Sequence, residues 1–135
     1  LLLALAYNGM AAVQTRLGQS STATRTYGLA LEALAPDLAS KSPGGDVVYT
    51  YATSYAGLGD VEAGLADALA HDPARRTAHR RQALTWYDVS LSTWSKVSEP
   101  GLVSPSAYDC IPASVVAERR AKVAAALSGR RAAGP

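Results

Sequence analysis

The chain has 135 residues, of which 48% are apolar and 18% charged, with one cysteine and a formal charge of +2. This composition excludes a disordered polar chain, and the lone Cys110 excludes an intrachain disulfide or a cysteine-built metal centre. No uninterrupted apolar run approaches the roughly 18 residues of a membrane span.

Leu1 to Ala6 resemble the apolar part of a signal peptide. No basic segment precedes them and no initiator Met is present, so they read as a helix cut at the edge of a longer chain. Leu3, Tyr7, Met10, Ala11, Val13 and Leu17 recur at helical steps and predict one inward apolar stripe, which Gly18 ends. Ser20, Ser21 and Thr22 offer cap oxygens for a second helix that Pro36 closes, its inner face being Ala23, Tyr27, Ala30, Leu31 and Leu34.

The turn formers Ser40 to Gly45 separate this first hairpin, residues 2–35, from the next helix. Asp46 is expected to cap that third helix, running from Val47 to about Ala70 and carrying Val48, Tyr51, Tyr55, Leu58, Leu65 and Leu69. Tyr49 and Tyr51 cannot both face one core, which leaves Tyr49 exposed. Gly57, Gly59 and Gly64 weaken this helix and require a packing reason.

Asp72-Pro73 supplies a cap followed by proline at the first helical position, so a fourth helix should run to about Val97. Its buried face is Ala83, Leu84, Tyr87, Leu91 and Trp94, and residues 46–97 form the second, longer hairpin. Ser98 to Ile111 read as a loop, and Pro112 opens a terminal helix over residues 112–128 with Val116, Val123 and Leu127 on its apolar side. The expected fold is therefore all-α, one domain over residues 1–135 with about five helices in antiparallel pairs.

The two hairpins share a pattern. Ala23, Tyr27 and Ala30 return 60 residues later as Ala83, Tyr87 and Ser90, while Tyr7, Met10 and Ala11 return 48 residues later as Tyr55, Leu58 and Gly59. Small residues let two helices approach and the aromatics fill the space beside them, which makes Gly59 a close-contact glycine.

These residue types at these spacings resemble the tetratricopeptide repeat over roughly residues 2–97. Gln14 and Glu62 stand where that family has a helix-A aromatic, and neither unit has the family's usual length. The segment Trp86 to Trp94 with its loop and terminal helix is also similar to the last repeat of the C-terminal extensions of bacterial eukaryotic-like serine/threonine protein kinases. The resemblance implies an α-α superhelix that scaffolds or binds a protein or peptide, as a C-terminal fragment with any kinase domain upstream. It places the inner face of the first helices at a partner, so Asn8, Arg16, Thr53 and Asp60 become the candidate partner-binding residues. The family's carboxylate clamp has Lys and Asn at the positions held here by Asn8 and Ala12 or by Ala56 and Asp60, so capture of a peptide C-terminus is not expected.

No constellation of catalytic residues emerges. His71 and His79 lie eight residues apart across a helix break, a spacing that does not build a zinc site, and Cys110 has no histidine near it in sequence. Gly44-Gly45-Asp46 lacks the lysine of a phosphate loop and reads as a turn into a cap. No enzyme activity, cofactor or metal is therefore expected of this chain, and the lone thiol is compatible with a cytoplasmic setting.

Residues 1–70 hold three basic against six acidic groups and residues 71–135 hold ten against five, net −3 and +5. Arg75, Arg76, Arg80 and Arg81 form one basic zone, and Arg119, Arg120, Lys122, Arg130 and Arg131 a second. The alternative reading is thus a nucleic-acid-binding helical domain using its basic second half.

Overall fold

A computed structural model describes residues 1–97 and 110–129. Five helices account for their secondary structure: α1 (Leu2–Arg16), α2 (Ser20–Leu38), α3 (Gly45–Asp67), α4 (Pro73–Trp94) and α5 (Ala113–Leu127). The all-α expectation of about five helices is met. Most of the expected Ser98 to Ile111 loop lies outside the described residues, as do Arg130 and Arg131.

The helix ends show which local signals prevailed. Gly18, at φ +75°, adopts the left-handed conformation that closes α1. Gln19, not one of the hydroxyl residues, takes the N-cap position of α2 without a side-chain bond. That helix runs through Pro36 to Leu38 rather than stopping before it. The ring lies in the last turn, where its fixed φ suits a helix and only one donor is lost, and the Ala39 N–H still reaches the Ala35 carbonyl at 3.1 Å.

Gly44 is the N-cap of α3, and the Asp46 carboxylate accepts the Val47 N–H at 2.9 Å within the first turn. At α4 the expected arrangement is found, with Asp72 accepting the Arg75 N–H at 3.2 Å and Pro73 at the first helical position.

Each helix packs against the next in the chain, and α1 also reaches α3. Ala11, Ala23 and Tyr27 from the first pair form one cluster with Leu58 and Val61 of α3. Ala4, Ala30, Leu34 and Val47 form a second, and Ala56, Ala83, Tyr87 and Val116 a third that brings α5 onto the α3–α4 pair.

Two glycines decide how close these helices come. A Cβ at Gly57 would clash with the ring edge of Tyr27, and one at Gly59 with that of Tyr87. Gly59 therefore holds the close contact expected of it, against the tyrosine of its own helical pair. Gly57 holds another, against the tyrosine of the preceding pair. Gly64 has no atom within 4 Å of such a Cβ, so space does not explain it.

Tyr49 corrects the sequence expectation. It is 3% exposed and stacks on Trp94 of α4, with ring centroids 4.9 Å apart and planes at 26°. Tyr51 faces elsewhere and meets Tyr55 edge-on, their hydroxyls 3.3 Å apart. A helix covered on several sides gives each tyrosine its own core, which a single-stripe reading does not allow.

Burial also sets an alkaline limit. Desolvation, aided by the Asp60 charge, pushes the Tyr27 phenol up to about 12. Desolvation with the Tyr51 hydrogen bond pushes Tyr55 to about 12, and burial beside Asp60 raises Tyr87 further. In the unfolded chain these phenols release protons near pH 10, so the stability they confer is present below that pH and is lost as pH rises towards 12. The part of the tyrosinate absorbance that belongs to these three phenols should therefore rise together with the loss of helical circular dichroism. Complete ionisation of the tyrosines with the helices intact would contradict this.

Candidate interaction surfaces

The four candidate partner-binding residues separate into three engaged within the chain and one in solvent. Asn8 is 7% exposed; its Nδ2 donates to the Thr50 carbonyl at 3.2 Å and its Oδ1 accepts from Ser54 Oγ at 2.8 Å. Thr53 is buried and its hydroxyl accepts the Ile111 N–H at 3.0 Å. Asp60 accepts the Tyr87 hydroxyl at 2.7 Å and an Arg119 guanidinium N–H at 2.6 Å. Only Arg16 is exposed.

This distribution has one physical origin. Asn8 points across to α3, while the α3 face carrying Thr53, Ala56 and Asp60 is covered by Ile111 and α5. Burial raises the Asp60 carboxyl above its ordinary value, against the opposing pull of the Tyr87 hydrogen bond and the Arg119 charge. The carboxylate, guanidinium and phenol together tie α5 to α3 and α4, which is a structural use of the residue.

Gln14 and Glu62, the departures from the family pattern, occupy equivalent places. Gln14 Oε1 accepts from Thr26 Oγ1 at 2.8 Å across α1 and α2, and Glu62 meets His79 Nδ1 at 2.6 Å across α3 and α4. Each pair thus has a polar cross-link at this place. His79 is an inter-helix residue, whereas His71 is exposed.

The basic zones are divided. Arg119 is held by Asp60, and Arg120 forks both carboxylate oxygens of Asp88. Arg75 pairs loosely with Asp72 at 4.0 Å, and Arg76 reaches the Ala70 carbonyl at 3.4 Å. Arg80, Arg119 and Lys122 line a shallow depression between α3, α4 and α5 together with Asp67, Tyr87 and Val123. Among the described residues no group of three or more His, Cys, Asp or Glu side chains is placed to hold a metal. Cys110 is buried.

The surface that stands out was expected to be core. Leu3 is 57% exposed, Met10 52%, Val13 45% and Leu17 67%, a continuous apolar strip along the outer side of α1. Of the expected stripe Ala11 is buried, and the inward side is Ala4, Asn8 and Ala11, small or polar residues that let α2 and α3 approach. The steps among Leu3, Met10, Val13 and Leu17 define the strip in the sequence, but periodicity does not say whether a stripe faces this chain's own core. Among the described residues no helix is long and apolar enough to cross a membrane.

No family model, no curated protein and no solved structure matches the chain.

Proposed function

We propose that the chain is a protein-binding helical-repeat module, two antiparallel hairpins of a tetratricopeptide-like superhelix closed by a terminal helix, which holds another polypeptide rather than catalysing a reaction. The observation that carries this reading is the outer strip of α1. A run of large apolar side chains left about half or more open to solvent is the mark of an interaction surface. The recurrence of the Ala–Tyr–small pattern in α2 and α4, with both tyrosines seated against glycines of α3, supports the repeat reading. The narrower reading, the regulatory tail of a bacterial signalling kinase, draws support from the Trp86 to Trp94 resemblance alone.

Nucleic-acid binding by the basic half has less support, because Arg119 and Arg120 are committed to carboxylates of the same chain.

The test is a triple substitution on the strip, Met10→Glu, Val13→Lys and Leu17→Glu. Exposed sites tolerate such changes, so the midpoint of thermal unfolding should move by less than about 3 °C. Binding of an apolar dye such as ANS should fall several-fold. A drop of about 10 °C or more would assign the strip to the chain's own core and remove the surface on which the proposal stands.

A further inference from the structure

The partner of the α1 strip can be read from the register between the two helical pairs. A shift of 48 residues carries Leu3, Ala6, Met10, Val13 and Leu17 of α1 onto Tyr51, Ser54, Leu58, Val61 and Leu65 of α3. On α3 those positions meet the preceding pair: Leu58 and Val61 cluster with Ala11, Ala23 and Tyr27, joined by Leu65, Tyr51 packs against the cluster of Ala4, Ala30, Leu34 and Val47, and Ser54 donates to Asn8. The outer side of α1 is thus the counterpart, residue for residue, of the α3 surface that the preceding pair covers.

A second observation comes from the glycines. The same shift carries Gly9 onto Gly57, whose missing side chain admits the Tyr27 ring. Around Gly9 no atom lies within 4 Å of where a Cβ would stand. Glycine in the middle of a helix costs about 1 kcal/mol relative to alanine, and nothing within the chain uses that cost at Gly9. A tyrosine ring arriving as Tyr27 arrives on Gly57 would use it.

We infer that the α1 strip is the docking surface for the second helix of a further hairpin of this same repeat, one that presents a tyrosine between small residues and inserts its ring over Gly9. This rests on the interaction reading proposed above and names the partner. A second copy of the chain is not that partner, because its own Tyr27 and Tyr87 are already seated over Gly57 and Gly59. The opposite end of the molecule does not mirror α1: the outward side of α5 carries Ala117, Glu118, Ala121 and Lys122, a small and charged surface suited to ending a stack.

The register dictates the experiment. Residues 1–48 placed directly before Leu1 of the full chain make α1 follow a copy of α2 just as Tyr49 follows Val48, so that the copied Tyr27 faces the original Gly9. In the chain of 135 residues, Gly9→Ala should raise the unfolding midpoint by a few degrees, because a helical glycine in open space becomes alanine. In the extended chain the same substitution at the original Gly9 should lower the midpoint, a reversal of sign.

Met10, the one methionine of the sequence, gives an independent readout. With leucine at Met10 of the added copy, oxidation of the original Met10 by peroxide should slow by about tenfold or more, as expected of a thioether moved from solvent to core.

Stabilisation by Gly9→Ala in both chains, with Met10 oxidised equally fast, would overturn the inference. Concentration-dependent protection of Met10 in the unextended chain, with a dimer seen by sedimentation, would overturn it in favour of a second copy. Either result can occur while the triple substitution still leaves the fold intact, so the occupant can be wrong without the interaction surface being wrong.

Discussion

Replacing Tyr27 by alanine should destabilise the chain by about 3–5 kcal/mol, the range for removing a buried aromatic ring. Tyr27 is 3% exposed and its ring is shared by three helices: Ala11 from α1, Ala23 beside it on α2, and Leu58, Val61 and Gly57 from α3. Deleting it leaves an unfilled space at the junction of the two pairs, which backbone as regular as α3 cannot collapse to fill. Against a total stability of about 5–15 kcal/mol this is a large fraction, and the urea midpoint should fall with the slope unchanged. Tyr7 offers the comparison, since it is only half-buried at the edge of the second cluster. Tyr7→Ala should cost about 1–2 kcal/mol, within the ordinary range of single substitutions.

Gly57→Ala should destabilise by about 2 kcal/mol, although alanine is the better helix former by about 1 kcal/mol. The added Cβ would overlap the outer edge of the Tyr27 ring, a rigid group already confined by Leu58 and Val61. The ring can escape only by tilting out of its rotamer or by separating α2 from α3. Gly64, on the same helix, has nothing within 4 Å of its missing Cβ, so Gly64→Ala should stabilise by up to about 1 kcal/mol. Thermal or urea unfolding of the two variants should therefore give effects of opposite sign. Stabilisation by both would show that α2 and α3 do not approach at Gly57 as described.

The helices were legible because their signals are local. The Asp72-Pro73 start, the Gly18 stop and the three- and four-residue apolar steps act within a few residues of one another, and the structure keeps them. The tyrosines Tyr27 and Tyr87 could be placed in the core for the same reason, each lying between small residues on its helix.

What the sequence did not disclose is which side of each helix meets which partner. Both sides of α1 are compatible with burial, and the large side chains, not the small ones, turned out to face solvent. Thr53 and Asp60 lie on a side that α5 returns to cover, through contacts 58 and 59 residues away in the chain, a distance at which spacing carries no information. Tyr49 was misplaced because α3 is enclosed by α1, α2, α4 and α5 rather than resting on one core.

The most direct test of how α2 packs on α3 is a double-mutant cycle between Tyr27→Ala and Gly57→Ala, read as unfolding free energy. If the ring of one helical pair is seated over the glycine of the next, alanine at 57 should lose its penalty once the ring is gone and become neutral or stabilising, a coupling of about 2 kcal/mol or more. Two effects that add to within about 0.5 kcal/mol would contradict it, because residues that touch in this way do not behave independently.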